Sequence, residues 1–370
     1  MRNDGTITPA LAAALLLAMA HPAGAQMPWD QGRWRIEARE SRVERHEGRD
    51  ALYLQNGTAW LQGAGAQLQD GAVHFDMRVS GGLGFHGIAF RAVDGQNYEH
   101  FYLRPFVSGN PDASAYTPVF NGSSGWQIYS DARFGLPVTV ATDRWIHVEL
   151  RVRGGRAEAY VDGQPLVFPA LQRPIATGGI GLTSSGAAAR FANVVVTPGA
   201  PGLEAGPGAD TRADPPGVVR RWRVSTTFAE ARLDSIRDLD RALVETLEWD
   251  TLGTAVLGIA DIAKLRTRTA AANTAIAAVT LRSAGATRAR VRLGSSDRAV
   301  VYLNGRPIYR GAAAWRSRDY KFLGTIGLHD ELILPLVRGD NELWIAVSED
   351  FGGWGVTMQL LDTPGVQVVP

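Results

Sequence analysis

Apolar and polar residues alternate along much of the first half of the chain, which is the period-two pattern of half-buried β-strands. Residues 73–79 (VHFDMRV) and 146–152 (IHVELRV) show it most clearly. Turn signals separate these runs, among them Gly154-Gly155 and Asp162-Gly163. Repeated short strands with one polar face predict an antiparallel β-sandwich.

Two neighbouring runs, 84–91 and 97–105, are predicted strands. In each, the alternate residues on one face are aromatic, cationic or very small. Alternate positions of the second run place four side chains on one face: Tyr98, His100, Tyr102 and Arg104. The matching parity of the first run supplies Gly87, Ala89 and Arg91. If the two strands pair, an aromatic and cationic surface lies beside two small residues. Such a surface suits flat, hydroxyl-rich ligands such as sugars, and the alternative is an ordinary solvated sheet face.

The second half of the chain is also mostly β in pattern, with one exception. Apolar residues recur at helical spacing between Leu233 and Leu247, at Ile236, Leu239, Leu243 and Leu247, and predict a single helix or an irregular insertion. Asn304-Gly305 is a tight-turn signal between two later strands. We therefore expect a second sandwich of the jelly-roll type.

A segment rich in Pro, Gly, Ala and Asp, 197–216, separates the two halves and is typical of an exposed linker. The predicted fold class is all-β, with two antiparallel β-sandwich (jelly-roll) domains joined by a Pro/Gly-rich linker. We place the first sandwich at 26–198, the linker at 199–216 and the second sandwich at 217–370. Because the linker has no apolar periodicity, the two domains are expected to fold independently.

The first residues resemble an export signal. An apolar run, 10–20, is followed by the small-x-small pattern Ala23-Gly24-Ala25. We predict a signal peptide at 1–25, a mature chain from Gln26, and a periplasmic or secreted bacterial protein. The run is too short to span a bilayer, and the sequence has no other apolar run of that length, so no membrane span is expected.

Composition excludes several classes of function. With 38 basic and 37 acidic residues the net charge is +1, which removes the electrostatic case for a nucleic-acid partner. The chain has no cysteine, so disulfides, thiolate catalysis and Cys-ligated metals are excluded. No G-x-S-x-G pattern or phosphate-cradling glycine loop before a helix occurs. These features do not address the oligomeric state.

Several segments of the first half together resemble a known family: GIAFR (87–91), YEHFYLRP (98–105), DRWIHVELRV (143–152), AEAYVDG (157–163) and GGIGL (178–182) with RFANVVV (190–196). They are similar to concanavalin-like sandwiches of the laminin-G and glucanase type, and within these to 3-keto-disaccharide hydrolase-like domains. The resemblance implies a sandwich fold and a carbohydrate ligand. Many such domains only bind glycans.

The second half resembles a galactose-binding-like jelly roll, of the sort attached to glycoside hydrolases and carbohydrate esterases. The motifs concerned are GSSD (294–297), VYLNG (301–305), LVRGDNEL (336–343) and GGWG (352–355). In that family the first two motifs mostly build a hairpin, so structural roles are expected for Asp297, Asn304 and Asn341. The resemblance does not name a ligand for this domain.

Catalysis of glycoside hydrolysis requires two carboxyl groups about 5–10 Å apart. The sequence contains neither Glu-x-Asp-x-Glu nor Glu-x-Asp-x-x-Glu, the spacing that glucanases of this fold commonly use. Asp76, Glu99 and Glu149 each stand alone in a predicted strand. Glu99 is the candidate acid or base if the protein is an oligosaccharide hydrolase or lyase, but a non-catalytic protein is the preferred interpretation.

Metal ligation has few candidates. His86, His100 and Glu99 could approach one another across paired strands, but no H-x-x-E or H-x-H spacing supports a transition-metal site, and none is predicted. No cofactor is expected, with a structural calcium ion left open. Its candidate ligands are the acidic pairs Asp330-Glu331 and Glu349-Asp350.

Binding residues are expected on the aromatic and cationic surface and on the long polar stretch 106–124, because loops over a sandwich commonly carry ligand contacts. The predicted ligand-binding set is Arg91, His100, Tyr102, Arg104, Tyr116, Asn121, Trp126 and Tyr129. The alternative for the last two is packing beneath the loop, and Trp34, Trp60 and Trp145 are expected to be core or rim residues. The predicted function is a secreted carbohydrate-binding protein; the alternatives are the hydrolase or lyase and an envelope interaction scaffold.

Overall fold

A computed structural model describes residues 26–30, 32–209, 213–233 and 237–369. The predicted signal peptide, 1–25, lies outside the described residues, as does Ile236 of the predicted helical segment. In the described part of the chain, no helix has the length and apolar character needed to cross a membrane.

In residues 26–30 and 32–198, the first domain has fourteen β-strands and one 3₁₀ turn at Pro105–Val107. In chain order the strands are β1 (Trp34–His46), β2 (Arg49–Leu61), β3 (Gln67–Leu68), β4 (Gly71–Val79), β5 (Gly84–Asp94), β6 (Asn97–Leu103), β7 (Ser114–Phe120), β8 (Ser123–Ser124), β9 (Gly135–Leu136), β10 (Ile146–Arg153), β11 (Arg156–Val161), β12 (Gln164–Phe168), β13 (Gly178–Gly186) and β14 (Ala189–Pro198). All pairings are antiparallel, which confirms the predicted fold class for this half.

The strands form two layers that share β2. One layer has the order β12-β11-β10-β4-β14, and the other has the order β13-β5-β6-β7-β8. The first half of β2 pairs with β14 and its second half pairs with β13, while β1 pairs along both halves. Between the halves, Asn56 has a left-handed φ of 48°, a conformation that Asn tolerates better than most residues. The β1–β2 hairpin therefore bends and closes one side of the sandwich.

The core lies between the two layers and follows the predicted alternation. Val73, Phe75 and Met77 of β4 are fully buried, as are Val148 and Leu150 of β10. They pack against side chains of the facing layer, including Ile88, Phe90, Phe101 and Leu103. Burying this apolar surface is the main stabilising contribution of the domain, at about 25 cal/mol per Å².

The part of the second domain that the structure describes, 217–233 and 237–369, contains eleven strands, one short α-helix and three 3₁₀ turns. The strands are β15 (Arg221–Ser225), β16 (Trp249–Gly253), β17 (Ala260–Asp261), β18 (Thr274–Ser283), β19 (Thr287–Ser295), β20 (Arg298–Leu303), β21 (Arg306–Ala312), β22 (Asp330–Leu336), β23 (Gly339–Ser348), β24 (Gly355–Leu360) and β25 (Val366–Val369). The helix is α1 (Arg241–Glu245), and the 3₁₀ turns are Glu230–Arg232, Val256–Gly258 and Ile262–Lys264. Two antiparallel sheets, β16-β15-β18-β23-β20-β21 and β17-β24-β19-β22, enclose a separate apolar core.

The segment with helical spacing is an irregular insertion that contains one helical turn. Asp240 caps α1 by accepting a 3.0 Å hydrogen bond from the backbone N–H of Ala242. Leu239 and Leu243 pack against Ile276 and Val300 in a small apolar cluster separate from the main core. The apolar residues at this spacing therefore cover the outer face of a sheet instead of forming one side of a long helix.

The predicted linker lies along the first sandwich. The carboxylate of Glu158, which is fully buried, accepts hydrogen bonds from the backbone N–H groups of Glu204 (2.9 Å) and Ala205 (3.1 Å). Arg151 and Arg156 donate to the carbonyls of Gly202 and Gly206. The described residues of this segment, 199–209 and 213–216, are exposed or half-buried, while β10 and β11 supply partners for part of its backbone.

The two domains meet through a loop that follows β8. Gln127 is fully buried: its Nε2 donates to the Leu323 carbonyl (3.0 Å), and its backbone bonds to Gly352 and Ile326. A Cβ added at Gly324 or Gly352 would lie 2.2–2.3 Å from the Gln127 amide, so only glycine leaves room for it. Ile326 and Ile259 belong to the apolar cluster of the first domain. The junction is thus a packed interface.

Candidate functional site

The outer surface of the β13-β5-β6-β7 layer carries a concentration of aromatic side chains. Strand register places two rows of residues side by side across this layer. One row is Arg35, Trp60, Gly181, Ala89, His100 and Thr117; the next is Glu37, Thr58, Thr183, Gly87, Tyr102 and Ala115. We use the term aromatic face for the surface formed by Trp60, Phe85, Tyr98, His100 and Tyr102.

Glycines form the floor of this face. A Cβ at Gly181 would lie 2.6 Å from the Trp60 indole, so the indole lies directly over that residue. A Cβ at Gly87 would come within 2.0 Å of the Phe101 carbonyl oxygen. Gly87 and Ala89 thus lie beside the aromatic row, and Gly181 adds a small residue from a further strand.

The rings form an unbroken series of contacts across the face. Centroid separations are 5.9 Å for Trp60–Tyr98, 5.7 Å for Tyr98–His100, 4.9 Å for His100–Tyr102 and 5.9 Å for Phe85–Tyr102. Phe106, from the 3₁₀ turn, continues the series at 5.7 Å from Phe85. These spacings fall in the range that aromatic pairs prefer, so each ring holds its neighbour in position.

The centre of the face is uncharged and recessed. His100 and Tyr98 are half-buried, and Tyr102 is 7% exposed. Burial lowers the pKa of His100 to about 4 and raises the pKa of Tyr98, so both side chains are neutral near pH 7. The His100 Nε2 lies 2.9 Å from the Thr183 hydroxyl. The Tyr98 hydroxyl makes no hydrogen bond to the described residues and is available to a ligand.

Charged side chains stand at the two ends of the face. At one end Glu37 pairs with Arg35 and accepts a 3.2 Å hydrogen bond from the Trp60 indole N–H. At the other end Arg104 pairs with Asp112, and its guanidinium lies 5.2 Å from the ring centroid of Phe106. Arg104 therefore adjoins the face, as the alternation of β6 predicts.

Arg91 does not lie on the aromatic face, and the prediction that it shares a surface with Arg104 is wrong. A bulge between Phe90 and Asp94 interrupts the register with β6, and Arg91 has a left-handed φ of 50°. Its buried guanidinium donates to the carbonyls of Gln69 (2.7 Å) and Gly154 (2.8 Å) and pairs with Asp70. Because of the bulge, the side chain of Arg91 does not follow the strict alternation between sheet faces that the prediction assumed.

Tyr116 and Glu99 are in the core of the first domain, so the expectation of Tyr116 in a ligand loop is wrong. Tyr116 belongs to β7 and donates a 2.6 Å hydrogen bond to Glu99. The other Glu99 oxygen accepts from the backbone N–H of Arg173, 3.1 Å away. Burial raises the pKa of Glu99, and neither residue has exposed surface. Glu99 thus links residues 172–173 to strands β6 and β7 by hydrogen bonds.

The remaining three predicted ligand residues lie at the domain junction. Asn121 donates to the Ala263 carbonyl (2.8 Å), and Tyr129 donates to the buried carboxyl group of Asp261 (2.9 Å). The Trp126 ring packs 5.8 Å from Phe351 of the second domain. The structure thus brings His100, Tyr102 and Arg104 together and places the other predicted residues elsewhere.

Sequence reasoning missed the contribution of β2 and β13 to the site. Trp60 is 6% exposed, in line with the expected core or rim position. Its place beside Tyr98 depends on the pairing of β2 with β13, which are more than 100 residues apart. The local signal was the small residue Gly181 between apolar positions, which marks a close approach within a strand.

Metal-binding groups are not clustered in the described part of the chain, where no three His, Cys, Asp or Glu side chains are placed to hold an ion. Of the calcium candidates, Asp330 pairs with Arg318, Glu331 with Arg290, and Asp350 with Arg298. The fourth, Glu349, accepts a 3.2 Å hydrogen bond from the backbone N–H of Gly353. His86 lies 3.1 Å from the Ser184 hydroxyl.

The fold and this surface define an all-β protein of two sandwiches with an aromatic sheet face. No protein-family model matches the sequence, and no curated protein is significantly similar to it. Among solved structures, it is similar to the carbohydrate-binding module CBM66 from Bacillus subtilis. The match has 17% sequence identity, covers 44% of this chain and 94% of that chain, and has a TM-score of 0.35.

Two further solved structures have similar scores. The Bacillus licheniformis β-glucanase has 12% identity over 48% of this chain and 96% of its own, with a TM-score of 0.35. A protein with a galectin-like fold from Bacillus subtilis has 12% identity over 44% of this chain and 88% of its own, with a TM-score of 0.32.

Proposed function

We propose that this protein binds carbohydrate, and that the glycan lies on the aromatic face of the first sandwich. The observation that carries the proposal is the unbroken series of rings from Trp60 to Phe106 over a glycine floor. We further propose that it acts as a secreted protein, in line with the export signal predicted at 1–25.

The chemistry of the face suits a sugar ring. The C–H edges of a pyranose carry partial positive charge and are attracted to the negative faces of aromatic rings. Hydroxyl groups around the sugar need donors and acceptors, which the Tyr98 hydroxyl and the end residues Arg35 and Glu37 supply. Because His100 and Tyr98 are neutral, the centre of the face favours a neutral glycan segment.

Binding is better supported than cleavage. Glu99, the sequence-based candidate for catalysis, has both carboxylate oxygens engaged inside the core. In the two rows that cross the face, the carboxyl group belongs to Glu37, which is paired with Arg35. Hydrolysis requires a second carboxyl group placed across the scissile bond. We therefore propose a binding protein.

A glycan array followed by calorimetry tests this proposal. Tyr98→Ala should weaken binding of the selected glycan about tenfold, or ~1.4 kcal/mol, because it removes one ring from the series. Tyr160→Ala is the matched control, since Tyr160 is a half-buried tyrosine on the outer surface of the other layer. An array without a bound glycan would favour the scaffold alternative and contradict the proposal. Equal loss in both variants would also contradict it.

A further inference from the structure

A cavity lies at the domain junction, away from the aromatic face. Its volume is about 530 Å³, within the range of pockets that hold small-molecule ligands. The first domain contributes Arg133 and Gln172, the linker contributes Ala213 and Asp214, and the second domain supplies the remaining lining: Arg220, Thr254, Ala255, Val256, Leu257 and Lys264. The cavity therefore exists only when both domains and the linker are in place.

Two of the three cations that line the cavity are already paired. Arg133 donates through Nε to Asp131, at 2.9 Å and 3.0 Å from its two carboxylate oxygens. Arg220 lies 3.3 Å from Asp214. The positive charge of both arginines is thus largely compensated by neighbouring carboxylates.

Lys264 differs from these arginines. Its ammonium group makes no hydrogen bond and no ion pair with any described residue, and it lies 5.2 Å from the ring centroid of Phe120. Asp261 and Glu99 attract it electrostatically, but Tyr129 and Tyr116 already donate hydrogen bonds to those carboxyl groups. Burial lowers the pKa of Lys264, because the ammonium has lost water without gaining an oxygen acceptor.

The other wall of the cavity is apolar and includes a strained residue. Ala255, Val256 and Leu257 line it, and Leu257 has φ 54° and ψ 27°, in the left-handed region that a bulky side chain rarely adopts. Such conformations are concentrated at functional sites. The cavity therefore combines an ammonium group without an acceptor and an apolar wall held in an unusual backbone conformation.

We propose that this cavity binds a small carboxylate of about monosaccharide size, with its carboxylate on the Lys264 ammonium group and its apolar face against residues 255–257. A uronic acid has this chemistry, since its pyranose ring carries a carboxylate at C5 and also presents an apolar C–H face. The Gln172 side-chain oxygen and Thr254 provide polar contacts for its hydroxyl groups.

The composition of the chain offers a matched control. Of its 38 basic residues only two are lysines, Lys264 and Lys321, and Lys321 is exposed on a loop of the second domain. Both can be changed to methionine, which preserves the length of the side chain and removes the charge. A difference between the two variants therefore reports on the position of the lysine rather than on the loss of a positive charge.

Calorimetric titration of the full chain with galacturonate, galactose and inorganic phosphate tests the proposal. We expect galacturonate to bind, galactose to bind at least tenfold more weakly, and Lys264→Met to weaken galacturonate binding at least tenfold, because it removes a charge-assisted contact. Lys321→Met should leave binding unchanged. Equal affinity for galactose and galacturonate, equal loss in both variants, or tighter binding of phosphate would overturn the proposal.

A measurement on the wild-type protein covers the case in which Lys264→Met does not fold. Amine acylation followed by peptide mass spectrometry compares modification of the two lysines with and without galacturonate. We expect the ligand to slow acylation of Lys264 severalfold and to leave Lys321 unaffected. Unchanged acylation of Lys264 at ligand concentrations up to 10 mM, or equal protection of both lysines, would overturn the proposal.

Discussion

Asp261 joins the two domains through a hydrogen bond between buried side chains. It is 2% exposed, accepts from the Tyr129 hydroxyl at 2.9 Å and accepts from the backbone N–H of Ala263 at 3.2 Å. Burial raises the pKa of this carboxyl group to about 6, against the opposing effect of Lys264. The junction therefore contains an acid that is partly protonated near pH 6.

We predict that the junction loses stability as pH rises from 4 to 7. The pKa of Asp261 is higher in the folded protein than in the unfolded chain, so its contribution is complete below pH ~4 and is lost as pH passes through about 6. A difference of about two pKa units corresponds to ~3 kcal/mol. Urea unfolding at several pH values should show that Asp261→Asn removes this part of the pH dependence.

The control for this measurement is Asp143→Asn, which changes an exposed residue of the first domain. Its unfolding free energy should follow that of the wild type at every pH. If Asp261→Asn retains the full pH dependence of the wild-type protein, the buried carboxyl group at the junction is not its source, and the account of Asp261 fails.

At the scale of residues, the sequence predicted side chains on regular strands and failed at irregular ones. Tyr98, His100 and Tyr102 share a face because β6 is regular over its length. Arg91 lies within a bulge, where the regular alternation of side chains between the two sheet faces is interrupted. The bulge arises from the fit of β5 against both neighbours, which local pattern does not reveal.

At the scale of elements, the carboxylate of Glu158 contributes two of the hydrogen bonds that hold the linker. Burial acts to raise the pKa of Glu158, but hydrogen bonds from Tyr160, Arg156 and two linker N–H groups lower it overall. Such a carboxylate is stabilising above the pKa of the unfolded chain, and this contribution is lost as pH falls. The linker backbone thus has a partner that its own composition does not suggest.

We predict that Glu158→Ala releases the linker from the first sandwich. The two N–H groups of Glu204 and Ala205 would lose their acceptor, and the stability of the protein should fall by about 1–3 kcal/mol. Hydrogen exchange should become faster at these two amides. Glu248→Ala, at an exposed position of the second domain, is the control and should change neither measurement. Unaltered exchange in Glu158→Ala would show that the linker is held by other contacts.

The element-level prediction failed at β7 for a physical reason. Residues 106–124 are rich in Pro, Gly, Asn and Ser, which favour turns, and were therefore predicted to be a loop. Seven of these residues, Ser114–Phe120, form a strand between β6 and the short strands β8 and β9. Pro118 pairs with Glu99 and needs no ladder hydrogen bond from its nitrogen at that position. Tertiary pairing overrides local turn preference here.

At the scale of the whole molecule, the two sandwiches share a packed junction, although the sequence suggested independent folding. Gln127 fills a space bounded by Gly324 and Gly352, and Ile259 and Ile326 complete the apolar cluster of the first domain. The composition of the linker does not indicate this packed junction, because the contacts come from loops far apart in the chain. Separate sequence patterns identified the two sandwiches but not their interface.

We predict that residues 26–198 expressed alone are less stable than the same domain in the full chain. The fragment would expose the apolar surface covered by Ile259 and Ile326, and would leave Gln127 and Tyr129 without their partners. Its thermal midpoint should fall by several degrees, at about 1 kcal/mol per 2–4 °C for a domain of this size. A midpoint equal to that of the full chain would show that the junction contributes nothing to folding.

The proposed binding surface is tested most directly by NMR of the full chain with labelled tyrosine and histidine side chains. On titration with the glycan selected by the array, we predict that signals of Tyr98, His100 and Tyr102 shift together with one dissociation constant. Signals of Tyr160, on the other layer, and of Tyr129, at the junction, should remain in place. Shifts confined to Tyr160 or Tyr129, with the signals of the aromatic face unchanged at saturation, would contradict the account.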